Sequence, residues 1–145
     1  MGCIMTQRLM SDIIRDQQPL VLSPETTIQE ACRKMRERRV GAVLVVDGER
    51  RLIGIFTGRD GACRVLAEGR NAGSTTLADV MTKNPDTIAP EKTAMDALLQ
   101  MQDCGYRHIP IVAGGKLLGI VSRGDFRGAE KAHVDEETGY AEKMR

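Results

Sequence analysis

Aromatic residues are scarce. The 145-residue chain has no tryptophan, two phenylalanines and two tyrosines, 3% of the total. Proteins that hold single-stranded nucleic acid without sequence preference stack its bases on aromatic platforms, and this chain has little to stack on. It also lacks an excess of one charge. With 21 basic and 20 acidic residues the formal net charge is +1, without the lopsided basic balance of a duplex-binding protein. No apolar run approaches the roughly 20 residues of a membrane span, and no signal-peptide pattern is present. The opening Met1-Gly2-Cys3-Ile4-Met5-Thr6 matches a myristoylation pattern short enough to arise by chance. Cys3, Cys32, Cys63 and Cys104 are far apart, and His108 and His133 are the only histidines. Zinc sites need ligands clustered at short spacings, so no metal is expected. The cysteines are expected to be reduced, small, semi-buried hydrophobes of a cytoplasmic protein.

What is present is a core-forming sequence that repeats itself. The hydrophobic share is 41% and the charged share 28%, enough for one domain or for two halves sharing one core. Val-Leu-Ser-Pro-Glu-Thr-Thr-Ile-Gln-Glu-Ala at 21–31 returns as Thr-Ile-Ala-Pro-Glu-Lys-Thr-Ala-Met-Asp-Ala at 87–97. Leu-Ile-Gly-Ile-Phe-Thr-Gly-Arg-Asp at 52–60 returns as Leu-Leu-Gly-Ile-Val-Ser-Arg-Gly-Asp at 117–125. The offset slips from 66 to 65 at the turn Asp47-Gly48-Glu49-Arg50-Arg51, where an insertion costs least. The lead-ins agree as well: Ser11-Asp12-Ile13-Ile14 stands beside Ala78-Asp79-Val80-Met81.

Each copy has the same grammar. A short extended piece (20–22; 86–88) ends at Ser-Pro or Ala-Pro, where proline holds its predecessor out of the helical region. Thr26 or Thr27, and Thr93, are candidate N-caps. Ile28, Ala31, Cys32 and Met35, and likewise Ala94, Ala97, Leu98 and Met101, then fall on one helical stripe. Two apolar strands come next, joined by Asp47-Gly48 or Gly114-Gly115. Their unbroken apolar runs suit strands covered on both faces. A second helix is expected to begin near Asp60 or Asp125. The cluster Arg33, Lys34, Arg36, Arg38 and Arg39 reads as a solvated face.

The expected fold class is therefore α+β: two β-α-β-β-α motifs related by a pseudo-twofold axis, with sheets packed against helices. The first motif is expected over 9–70, a connector over 71–77, the second motif over 78–128, and a charged, partly helical tail over 129–145.

The doubled pattern of Pro-x-x-Thr, Ala and Met leading to Gly-x-x-Thr/Ser-x-x-Asp, with Ala-Asp-Val-Met-Thr at 78–82, resembles a tandem pair of CBS domains. The resemblance covers about four fifths of the chain. It implies a regulatory module that binds AMP, ADP, ATP or NAD, with S-adenosylmethionine less favoured, in clefts between the motifs. It also implies pairing into a disc-like homodimer. In the family, a basic pair at the position of Arg107 and His108 reaches the phosphates of a nucleotide held mainly by the other motif. On that pattern the cleft joining Thr57 and Asp60 to Arg107 and His108 favours phosphate. The cleft joining Ser122 and Asp125 to Gly41 and Ala42 carries less charge.

The residues support such a site independently. In Thr57-Gly58-Arg59-Asp60 a strand runs into a helix, whose first N–H groups favour anions. A carboxylate can accept both protons of a ribose diol, so Asp60 and Asp125 are the expected ribose acceptors. Thr57, Arg59, Ser122, Arg123, Arg107 and His108 are expected around the phosphate and ribose. Gly41, Ala42, Val43, Ile109, Pro110, Ile88 and Leu22 are expected around the adenine. The same Thr/Ser and Asp also read as an N-cap with an acid at N3. No catalytic set is recognisable, so the expected function is a non-catalytic sensor. Its partners are a small-molecule nucleotide, a second copy and an effector protein not encoded in these residues, with no nucleic acid and no membrane. The alternative is a structural dimerisation module whose clefts take no ligand, with an enzyme third.

Overall fold

The computed structural model describes residues 8–126 together with Gly128, Glu130 and Lys131. The myristoylation pattern, Cys3, His133 and most of the charged tail lie outside the described residues. In chain order the elements are α1 (Met10–Ile13), β1 (Val21–Leu22), α2 (Ile28–Arg38), β2 (Ala42–Val46), β3 (Leu52–Thr57) and α3 (Gly58–Asp60), which runs into a π-helical stretch Gly61–Leu66. After these come α4 (Leu77–Val80), β4 (Thr82–Lys83), α5 (Ala94–Cys104), β5 (His108–Ala113), β6 (Lys116–Ser122) and a 3₁₀ turn Arg123–Asp125. The architecture is α+β, in two compact units.

The first unit comprises Gln18–Asp86 and Gly114–Leu117. Its sheet has the order β1-β2-β3-β4. β1 runs parallel to β2, with Val21 opposite Leu44, and β3 lies antiparallel to β2 and β4. All of β2 is buried, as its apolar run implies. The turn after it is organised by Asp47, whose Oδ1 accepts from Glu49 N–H (2.8 Å) and Arg51 N–H (2.9 Å). Thr27 caps α2 by accepting from Glu30 N–H (3.2 Å). The inward face of α2 is Ile28, Ala31 and Met35. Cys32, expected on that stripe, is exposed, as are Cys63 and Cys104; all three are free thiols. The stripe is narrower than the spacing allowed, and Cys32 falls on its rim.

The second unit comprises the described chain up to Gln17, Thr87–Ala113, and the described chain from Leu118 onward. Thr93 and Asp96 cap α5 reciprocally: Asp96 Oδ2 accepts from Thr93 N–H (2.9 Å), and Thr93 Oγ1 accepts from Asp96 N–H (3.2 Å). Ala94, Ala97, Leu98 and Met101 form the buried stripe that their spacing predicts. β5 and β6 make a hairpin through Gly114 and Gly115, both at positive φ (57° and 79°), which glycine adopts without steric cost. β6 departs from the doubly covered strand expected: Leu118 is 41% exposed. The helix expected to run on from Asp125 is interrupted at Phe126 and resumes beyond it, where Gly128, Glu130 and Lys131 are helical. Phe126 turns extended (φ −90°, ψ 145°) and buries its ring among Met10, Ile14 and Val121, so core packing breaks the helical path at this one residue.

Each unit is completed by the lead-in of the other repeat. Leu77, Val80 and Met81 pack into the core of the first unit with Ile28, Val43 and Phe56. The connector is tied there as well, with Ala72 and Thr75 carbonyls accepting from Gln29 N–H (3.0 Å) and Ile28 N–H (2.9 Å). Met10 and Ile14 pack into the second unit. A glycine in the return strand makes room each time. A Cβ on Gly54 would collide with the Met81 thioether, and one on Gly119 would meet Gln17 Oε1 at 2.6 Å and Ile14 Cβ at 3.1 Å.

Candidate functional site

The chemistry-bearing residues gather where a return strand ends. At the first junction Thr57 is extended (φ −120°, ψ 167°), and the next residue is already helical. Asp60 Oδ2 accepts from Thr57 N–H (2.9 Å) and from its hydroxyl (3.1 Å), while Thr57 Oγ1 accepts from Asp60 N–H (3.3 Å). This reciprocal cap satisfies donors that the helix start would leave open. Gly58 N–H donates to the Gly41 carbonyl (3.1 Å) and Ala42 pairs with Thr57, so the junction lies beside the start of β2. Arg59 is exposed.

Arg64 joins this group without having been expected there. Its Nη1 donates to the Val80 carbonyl (3.0 Å), and its Nε lies 3.7 Å from Asp60 Oδ1. An arginine four residues after an acid is the helical pairing pattern that could have pointed to it.

The second junction repeats the cap. Asp125 Oδ2 accepts from Ser122 N–H (2.7 Å) and from the Ser122 hydroxyl (3.3 Å). Arg123 N–H donates to the Arg107 carbonyl (3.0 Å), which sets the junction beside the start of β5. Arg107 and Asp125 are exposed, and His108 and Arg123 are half-buried. The His108 pKa is lowered, chiefly by burial and then by the Arg107 charge, with Asp125 opposing. The start of β5 with Arg107 and His108 therefore lies beside the turn that carries Ser122, Arg123 and Asp125. The hydrogen bonds bind each junction to the preceding strand of its own repeat: Arg107 and His108 stand with Ser122 and Asp125, and Gly41 and Ala42 with Thr57 and Asp60.

The expected apolar wall divides by depth. Val43 and Ile109 are wholly buried in the cores of their units, so they support a pocket rather than offer it surface. Ala42, Ile88 and Pro110 are also buried, Leu22 is half-buried and Gly41 exposed.

The family model for the CBS domain matches twice, at residues 9–60 and 77–131. The CBS domain-containing protein CBSCBSPB1 of Arabidopsis thaliana is 38% identical over 108 residues, which is 74% of this chain and 20% of that protein. The chain thus spans about a fifth of the length of the first curated relatives it matches. Among solved structures, the CBS-domain containing protein ATU1752 from Agrobacterium tumefaciens is 28% identical with a TM-score of 0.76, covering 83% of this chain and 91% of its own. The CBS domain protein PAE2072 from Pyrobaculum aerophilum, complexed with AMP, shares the fold at 21% identity and a TM-score of 0.78, covering 88% and 98%. With both matched segments lying on the two sequence repeats, the chain belongs to the CBS domain family and carries the domain in tandem.

Proposed function

We propose that the chain is a non-catalytic regulatory module that takes an adenine nucleotide, with the Ser122–Asp125 junction as the site best equipped for phosphate. The observation that carries this is the bond from Arg123 N–H to the Arg107 carbonyl (3.0 Å). It sets the Arg107–His108 strand start beside the turn that carries Arg123 and Asp125. Asp125 accepts the ribose diol through the oxygen not used in the cap. Ser122 and the cationic groups receive the phosphate, helped by the N–H groups of the turn. Ile88, Ile109 and Pro110 back the adenine.

The Thr57–Asp60 junction is the weaker phosphate site. Gly41 and Ala42 bring no charge, and Arg64 already faces Asp60 Oδ1. Arg59 remains to meet an anion there. The AMP complex of a protein sharing this fold fits the proposal, but at 21% identity the ligand assignment rests on this chain's own residues. Occupancy is passed on to the extent that the ligand binds one conformation of the module better than another.

A thermal-shift panel of AMP, ADP, ATP, NAD and S-adenosylmethionine tests the proposal. A ligand at about 100 times its dissociation constant stabilises the folded chain by about 2.7 kcal/mol. A melting temperature unmoved by all five removes the sensor function for these ligands and leaves a structural module.

A further inference from the structure

The Arg8 side chain makes three hydrogen bonds in the second unit, and it is outside the group proposed to meet the nucleotide. Its Nε donates to Glu130 Oε2 (3.0 Å) and its Nη2 to Glu130 Oε1 (2.7 Å), a two-pronged pair that fixes both side chains in one plane. The Glu130 side chain is only 7% exposed and that of Arg8 20%, so the pair is shielded from water. The same Nη2 reaches the carbonyl of Asp125 (3.2 Å). Arg8 is itself anchored through its main chain, whose carbonyl accepts from Ala94 N–H (2.8 Å) at the start of α5.

The two junctions part company just after the acid. Beyond Asp60 the helix continues, and Gly61 N–H closes the turn on the Gly58 carbonyl. Beyond Asp125 the turn does not run straight on, and Gly128 is helical again. Phe126 is extended, and its closing bond to the Arg123 carbonyl is long at 3.4 Å. The end of the second junction is therefore held from outside.

We propose that Arg8, locked by Glu130, is the positioning residue of the Ser122–Asp125 nucleotide site. It holds the Asp125 main chain so that the carboxylate stays aimed at the mouth. It also ties the site to the chain segments at both ends of the second unit. The inference rests on the proposed nucleotide function. By reciprocity, a ligand that needs Asp125 in this position strengthens the clasp, and a broken clasp weakens the ligand.

The test is calorimetric titration of AMP into the 145-residue chain, at a temperature where every variant is folded by circular dichroism. Asp125→Ala identifies the binding event in question by abolishing it. Arg8→Met keeps the stem and removes the fork; Glu130→Gln removes the opposing charge. Each is expected to weaken that event by about tenfold, and the double variant by no more than the single ones, because the two residues act as a unit. Arg8→Lys is expected to recover part of the loss and is read alone if Arg8→Met does not fold. Wild-type AMP affinity in a folded Arg8 variant, whatever its melting temperature, reduces the clasp to a structural tie and overturns the inference. An Asp125→Ala chain that binds AMP normally, or a wild-type chain that takes none, overturns the proposed function instead and the inference with it.

Discussion

The side-chain amide of Gln17 pairs with the main chain of Ile120 in both directions. Its Nε2 donates to the Ile120 carbonyl (2.7 Å), and its Oε1 accepts from Ile120 N–H (2.7 Å). In the other repeat the corresponding Ile55 has a strand partner, Thr82 of β4. One glutamine thus does in the second unit what a short strand does in the first. Gln17→Ala leaves both Ile120 groups without this partner and is expected to cost about 1–3 kcal/mol, read as a lower urea midpoint at unchanged slope. An unshifted midpoint would mean water replaces the amide at no loss.

The paired glycines are expected to differ in tolerance. Gly119→Ala drives a methyl into Gln17 Oε1 and the branched Ile14, breaking the amide clamp, and is expected to cost about 1–3 kcal/mol. Gly54→Ala meets the Met81 thioether, which can swing aside, so its loss is expected to be the smaller of the two. Denaturant titration of both variants checks the order.

The caps separate binding from folding. Asp60→Ala and Asp125→Ala each remove a reciprocal cap and are expected to cost about 0.5–2 kcal/mol, more than a bare surface carboxylate. Asparagine keeps a cap acceptor but not the charge that favours a ribose diol. Asp125→Asn is therefore expected to melt near wild type while losing nucleotide affinity. Equal affinity in wild type and Asp125→Asn would show that the carboxylate does not hold the sugar.

His108 gives a pH dependence of known sign. Burial, and then Arg107, hold its pKa below the ordinary 6.5, so the unfolded chain takes up a proton more readily than the folded one. The stability tied to neutral His108 is complete above pH 6.5 and is lost as pH falls from there through the lower folded value. A His108→Asn variant is expected to show a flatter stability profile over that window. A bound phosphate favours the imidazolium, so nucleotide binding is expected to take up a proton, visible as a buffer-dependent heat.

Much of the fold was legible because the repeat doubles every local signal. Thr27 and Thr93 sit as caps where Ser-Pro and Ala-Pro announce a helix, and Gly114-Gly115 turns as its composition demands. The misreadings have local physical causes. Cys32 matched the helical spacing, but the spacing does not say how wide the buried face is. Phe126 looked like helix and instead enters the core, a long-range demand invisible in a window. Asp60 and Asp125 could be found as acids at repeated junctions. Arg64 and the Arg8–Glu130 clasp depend on contacts that form only once the chain has folded, and for Arg8 no sequence spacing marks them.

Because Ile14 and Met81 lie over the glycines opposite to their own repeats, the duplication has no clean seam. Severing the chain between repeats would strand each fragment with a plug cut for its sibling, leaving the glycine notch of each without its stopper. Each repeat on its own lacks part of its core, so the pair is expected to be the smallest piece that folds.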